Sequence, residues 1–510
     1  LLKHIGSNWA LNITGIGVML VLSPFMEHEL GKGAYGVWIA IAAATGILDL
    51  LALGVPMASV RFVSEHLAAD ELDDVNAVVS TGLAICLATG AVVIALGLLF
   101  LLGFQEALLT TPKWADLPSA TLEQAPLAFV VSVVRIAASF AMRLPIAVFD
   151  AHQDFALRNG ILIGGILFRL GAMVALLSAT ASIVVVPAVM GAEIVLVFLC
   201  LAAVMRRRYP GIRYDLGTVR RAKVRTIMGF GVFGSLLNFG VLLAYQCDAL
   251  VIGHYLEPEQ ITSFDFGNKF FLPLGQFMIG IGTVVMPLAV RLKARGALDE
   301  LRAVFFKWSK ISLSIVGCIG LYLAVLGPEF LGTWIAPAYE TESGPITQIL
   351  MPSFAMYLTV RAVALPVLLG VGRPARAVVG LVVMGAVNLA VSMVLVQTHG
   401  IVGVAVATAV PNVAYAAWLL YLTCLELDTR VGAYLRYVVM RPVVGMLPSL
   451  AFLLTLKLGV GIEGWGELIA AGVGMVAIYC ATWVFFVYRG DAHLDLRAEL
   501  AARWTAHRDG

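Results

Sequence analysis

"SFDFGNKFFLPLGQFMIGIGTVVMP", Ser263 to Pro287, is built from Phe, Leu, Ile, Gly and Val, yet it holds Asp265, Asn268, Lys269 and Gln276. Its length and apolar content predict a membrane-crossing helix. A charge in hydrocarbon costs on the order of 3 kcal/mol by insertion scales, so something must offset it. On a helix, Asp265, Asn268, Lys269, Leu272 and Gln276 stand at i, i+3, i+4, i+7 and i+11, one polar stripe that must face protein or water. A plainer reading places Lys269 one or two turns below the membrane surface, reaching outward while holding Asp265 four residues away. That leaves Asn268 and Gln276 without a reason.

The remainder of the 510 residues has the same character: 60% are hydrophobic and 13% charged. So few charges cannot cover a soluble protein of this size. The apolar runs predict an all-α polytopic membrane protein with fourteen spans, at 6–26, 34–60, 76–102, 125–149, 157–180, 183–205, 226–252, 263–290, 304–326, 346–370, 376–397, 400–425, 438–459 and 466–488. The first run is too long for a cleaved signal peptide. The six cysteines fall singly with no metal-binding spacing, which predicts neither disulfide nor metal.

Lysine and arginine set the orientation. One side carries "RRRYPGIRYDLGTVRRAKVR" (206–225), "RLKARGALDELR" (291–302), "RPAR" (373–376) and the tail from Arg489, while the other carries Lys32, Lys113 and Lys457. This bias predicts both termini in the cytoplasm. The 206–225 loop reads as an orientation signal and lipid-surface contact, and it is too short for nucleic-acid binding.

An internal repeat is legible. "VPMASVRFVSEHLAADELDDV" (55–75) follows the second span and "VMPLAVRLKARGALDELRAV" (285–304) the eighth. "PIAVFDAHQDFA" (145–156) and "PVLLGVGRPARA" (366–377) likewise close the fourth and tenth. An offset of six spans predicts two pseudo-symmetric six-helix lobes of like topology. The expected division is 1–215, 216–428, two extra helices in 429–490, and a tail at 491–510.

"YGVWIAIAAATGILDLLALGVPMASVRFVSEHLA" (35–68) resembles the second-span signature of Wzx-type oligosaccharide flippases in the multidrug/oligosaccharidyl-lipid/polysaccharide (MOP) exporter superfamily. "LGPEFLGTWIAPAYE" (326–340), "LLGVGRPARAVVGLVVMGAVNLAV" (368–391) and "HGIVGVAVATAVP" (399–411) resemble its later landmarks, in order. The resemblance covers about residues 6 to 425. It implies a MATE/MurJ-like, V-shaped carrier working by alternating access in a bacterial inner membrane. The implied substrate is a lipid-linked oligosaccharide on polyprenyl pyrophosphate, moved to the outer leaflet for O-antigen, capsule or exopolysaccharide assembly. It also implies a glycan polymerase as partner and a prenyl-tail groove beside the helices of 438–488.

The charges in the other spans bear on this directly. Arg135 and Arg143 stand eight apart on the fourth span, Arg169 sits in the fifth and Arg361 in the tenth; Arg61 lies at the cytoplasmic end of the second. Against them stand Asp49, Glu193 and Asp248. Arg169 and Glu193, at similar depth on consecutive spans, read equally well as a structural ion pair or as part of a site, and Arg143 could reach the cytoplasm. Arginine offers fixed bidentate donors to phosphate and carboxylate, so an excess of embedded bases predicts an anionic passenger. Asp49, Glu193, Asp248 and Asp265 become candidates for proton or sodium coupling. Asn8, Asn12, Asn238, Asn268 and Gln276 could hold sugar hydroxyls, or equally join helix to helix. No HExxH, nucleophile elbow or P-loop is present, and no cofactor is implied. The alternative within the superfamily is a multidrug/cation antiporter, for which twelve spans and an acid-dominated cavity are expected.

Overall fold

The computed structural model describes residues 2–52, 54–459 and 461–494; the tail at 495–510 lies outside the described residues. Contacts divide the chain into two units, Leu1–Thr262 and Ser263–Gly510.

The first unit holds α1 (Leu2–Leu30), α2 (Lys32–Gly46), α3 (Val55–Ala68), α4 (Leu72–Phe104), α5 (Ser119–Ala151), α6 (Phe155–Thr180), α7 (Val185–Arg208), α8 (Arg221–Tyr245) and α9 (Asp248–Tyr255). In it α4 packs on α5, α5 on α7, and α1 on α6. By contact α8 and α9 go with this unit, whereas the sequence repeat groups their span with the second lobe. The division falls inside α10 (Pro258–Asn268).

The second unit continues with α11 (Phe271–Ala294), α12 (Leu298–Trp334), the short α13 (Ala338–Glu342), α14 (Gly344–Val371), α15 (Ala375–Glu426), the short α16 (Val431–Tyr434), α17 (Arg441–Gly459) and α18 (Trp465–Thr482). Here α14 packs against α11, α12 and α15, and α17 and α18 pair beside α12.

Among the described residues, thirteen helical segments are long and apolar enough to cross a membrane. One of them, α15, has 52 residues and would be about 78 Å long if straight, more than twice a bilayer's hydrocarbon core. It folds back at Gly400, whose φ of 57° and ψ of −144° only glycine adopts readily. The "THG" turn therefore separates two crossings, and the total is fourteen. Outward faces carry Leu99, Leu102, Val394 and Ile469, all well exposed, as lipid-facing residues should be. This is a multi-pass helical membrane protein.

Among the described residues, three crossings are interrupted. The second passes from α2 into a 3-10 segment, Ile47–Ala52, and restarts at α3 after Gly54, which has a left-handed φ of 67°. The seventh breaks at Gln246–Cys247 between α8 and α9. The eighth breaks at Lys269–Phe270 between α10 and α11. There the continuous stripe read from the sequence is corrected. Pro273 has no N–H to give the Lys269 carbonyl four residues back, and its ring crowds that carbonyl, so the helix restarts. Asp265 and Lys269 stay together across one turn, but Gln276 belongs to the next helix and is exposed.

Candidate functional site

Each break lies at an acid singled out in the sequence. Asp49 is in the 3-10 segment, Asp248 is the first residue of α9, and Asp265 is in the last turn of α10. Interrupted backbone at membrane depth survives only where protein or a water-lined cavity satisfies the freed groups, and such breaks commonly frame transporter sites. The acids and the breaks thus mark the same three places.

In the first unit the charges gather. Arg143 on α5 donates from Nη2 to Asp49 Oδ1 at 2.5 Å, with its guanidinium 5.5 Å from the Phe140 ring centroid. Arg169 on α6 pairs with Glu193 on α7 at 3.2 Å. Gly165, one turn before Arg169, lets the helices approach: a Cβ there would stand 2.4 Å from Val197 Cγ2, one turn beyond Glu193 on α7. Arg135, two turns above Arg143 on α5, lies beside Gly191 of α7 and feels Asp49, Glu193 and Arg169 electrostatically. Its buried Nε has no hydrogen-bond partner among the described residues. Three bases and two acids from four elements make one cluster with a surplus positive charge. The Arg143–Asp49 pair remains 32% and 46% exposed, open enough to exchange partners.

The second unit holds a smaller constellation. Lys269 Nζ donates to Asp265 Oδ2 at 2.5 Å and lies 5.5 Å from the Phe266 ring centroid. Asn268 Oδ1 is buried with no partner among the described residues. Arg361 on α14 sits 6.0 Å from the Tyr357 ring and lines a cavity of about 220 Å³ against α11, with Thr283 on the opposite wall.

Other candidates lie elsewhere. Asn8 accepts from Asn159 Nδ2 at 2.6 Å and from Arg158 at 3.3 Å, and Arg158 also holds Asp150. Asn8 therefore joins α1 to α6. Asn12, Asn238 and Arg61 are exposed, Arg61 against the Phe62 ring. Asp248 is buried, 2% exposed.

Of the charged pairs that the sequence reading missed, one is sealed from solvent. Lys310 on α12 donates to Asp491 Oδ2 at 2.5 Å and to the Val487 carbonyl at 3.0 Å, and both side chains are 1% exposed. The Tyr437 and Tyr488 rings flank the ammonium at 4.6 and 5.1 Å. Asp491 also accepts from the Tyr437 hydroxyl and the His493 N–H. Burial pushes the Asp491 carboxyl up, but the Lys310, Tyr437 and His493 hydrogen bonds outweigh it and leave the group below its ordinary range. A lysine well inside the 304–326 span was the available signal; its partner 181 residues away was not foreseeable.

Comparison with known proteins places this fold. It is shared with transporters of the MOP superfamily. A lipid II flippase, MurJ, in an inward closed conformation superposes with TM-score 0.70 at 12% identity, covering 94% of this chain and 98% of that one. An inward-facing multidrug-resistance MATE family transporter matches with TM-score 0.68 at 11% identity, covering 82% and 98%. A MOP superfamily transporter of Pyrococcus furiosus, described as having a binding pocket of reversed polarity, matches with TM-score 0.62 at 13% identity, covering 83% and 95%. In sequence, an uncharacterized membrane protein of Methanocaldococcus jannaschii is 24% identical over 210 residues, and the match spans 40% of each chain. No protein-family model matches.

Proposed function

We propose that this chain is a flippase that moves a polyprenyl-pyrophosphate-linked oligosaccharide from the cytoplasmic to the outer leaflet of a bacterial inner membrane by alternating access. The observation that carries the reading is the surplus base in the Arg135–Arg143–Arg169 cluster. Guanidinium groups already held on rigid helices suit the oxygens of a pyrophosphate, and the half-open Asp49 pair can yield its arginine to a stronger anion. A cation antiporter needs the opposite balance.

Two further points support the flippase. Fourteen crossings agree with a likeness that covers more of the chain for the lipid II flippase than for the MATE transporter, by roughly two crossings. An apolar cavity of about 560 Å³ between α12 and α18, walled by Tyr322, Phe330, Trp465 and Val473, suits a prenyl tail.

In this reading the division into two lobes with two added helices is functional, Asp49, Glu193, Asp248 and Asp265 are the coupling candidates, both termini are cytoplasmic and a glycan polymerase receives the product. The test is binding of purified protein to polyprenyl-pyrophosphate glycans and to cationic dyes, with Arg135→Ala in parallel. Lipid binding that falls in the variant supports the flippase; dye binding with no lipid preference would replace it with the antiporter. A label on the 206–225 loop, inaccessible from outside intact cells, checks the orientation.

A further inference from the structure

The two limbs of α15, on either side of Gly400, leave an outward-facing groove of about 520 Å³. One wall carries Val379, Val383 and Val387, which are 62%, 55% and 44% exposed. The other carries Pro411, Ala414 and Trp418. The limbs are tied at one end by Tyr415, whose hydroxyl donates to the Ala377 carbonyl at 2.9 Å. Gly380 shapes the same end: a Cβ there would stand 2.8 Å from Trp418 Cδ1 and Nε1, so the indole packs where only a glycine leaves room.

That end also has the marks of a membrane interface. Trp418 stacks with Tyr421 at 6.0 Å, and both rings are exposed, 43% and 49%. Exposed paired aromatics on a membrane helix anchor at headgroup depth. At the same end the groove carries its single charged lining residue, Arg376, in the first turn of α15. Its neighbour Arg373 pairs with Glu426 at 3.5 Å, whereas no carboxylate of the described residues pairs with Arg376. The first-turn N–H groups of α15 add to the positive potential there. From Arg376 to Val387 the helix rises about 16 Å, close to the thickness of one leaflet.

We propose that this groove holds one anionic glycerophospholipid. Its phosphate rests on Arg376, the Trp418 indole N–H meets its ester region, and one acyl chain runs along Val379, Val383 and Val387. Length favours a bilayer lipid, because the groove is one leaflet deep and closed at the headgroup end by a single base. The inference stands apart from the transport reading: the groove lies wholly within α15 and shares no residue with the charge clusters.

Native mass spectrometry of the purified protein, titrated with phosphatidylglycerol and with phosphatidylcholine of matched chains, tests it. The wild type should retain one phosphatidylglycerol about fivefold more tightly than phosphatidylcholine, as expected for one base near a phosphate. Arg376→Gln should abolish that preference and Arg373→Gln should keep it. Val383→Trp, at an exposed position where folding is not at stake, should fill the groove and weaken both lipids. A preference unchanged in Arg376→Gln, or undiminished lipid retention in Val383→Trp, would overturn the proposal. So would displacement of phosphatidylglycerol by equimolar undecaprenyl phosphate, which would make the groove a substrate path instead.

Discussion

Two charged assemblies embedded in the helices are built on opposite rules. Lys310 and Asp491 are one base and one acid, sealed to 1% exposure, with further hydrogen bonds to a backbone carbonyl, a tyrosine and a backbone N–H. The cluster around Arg135 has three bases for two acids, spread over four elements, with side chains left 15–46% exposed in its two ion pairs. A sealed, balanced pair fixes a geometry: it clasps the segment after α18 to α12. An unbalanced, half-open cluster retains charge that it can offer to something else. Stoichiometry and exposure distinguish the sealed clasp from a cluster with charge left to offer.

The largest expected effect falls on the clasp. Lys310→Met leaves Asp491 buried without its base and should cost about 3–5 kcal/mol of stability, read as a lowered unfolding midpoint in detergent. A loss below about 1 kcal/mol would make the pair ornamental and erase the contrast. Arg135→Ala should do the reverse, cutting binding of a polyprenyl-pyrophosphate glycan tenfold or more while changing stability by less than about 1 kcal/mol. Lys269→Ala and Arg361→Ala are expected to reduce transport with folding intact, and normal transport by both would remove them from the site.

The acids sharpen the comparison further. Glu193→Gln or Asp49→Asn raises the positive surplus, so anion affinity should rise by roughly threefold, while cationic dyes should bind more weakly. Weaker lipid binding in both variants would mean that these acids orient the arginines rather than compete with the passenger. The smallest effect is a pH dependence. The folded Asp491 carboxyl titrates below its ordinary value of 3.8. Its contribution to stability is therefore fully present above that unfolded value and is lost as pH falls through the lower folded one. The wild type should lose that share of stability only below about pH 4, and Asp491→Asn should show no such step.

Much of this architecture was legible in the sequence because lipid imposes a simple rule: about twenty apolar residues per crossing. Fourteen crossings follow from hydropathy alone, including the pair joined at Gly400, whose "THG" turn reads as a break and has non-helical backbone angles. The interruptions were only half legible. Pro273 marked the eighth crossing, but nothing in "AYQCDAL" (244–250) announces the break at Gln246, which depends on tertiary packing. Within the site, Arg143 with Asp49 and Arg169 with Glu193 join residues that the sequence had singled out. Asn8 was read as either sugar ligand or helix contact, and it accepts hydrogen bonds from Asn159 and Arg158 of α6. Lys310 and Asp491 stayed hidden because no local pattern links two residues so far apart.

The central claim is that the Arg135 cluster holds surplus positive charge for an anionic passenger. The most direct measurement is the affinity of purified protein for a polyprenyl-pyrophosphate glycan, compared across the wild type, Arg135→Ala and Glu193→Gln. The account predicts affinity falling at least tenfold in the first variant and rising in the second. Equal affinity in all three, with cationic dye binding retained, would contradict it.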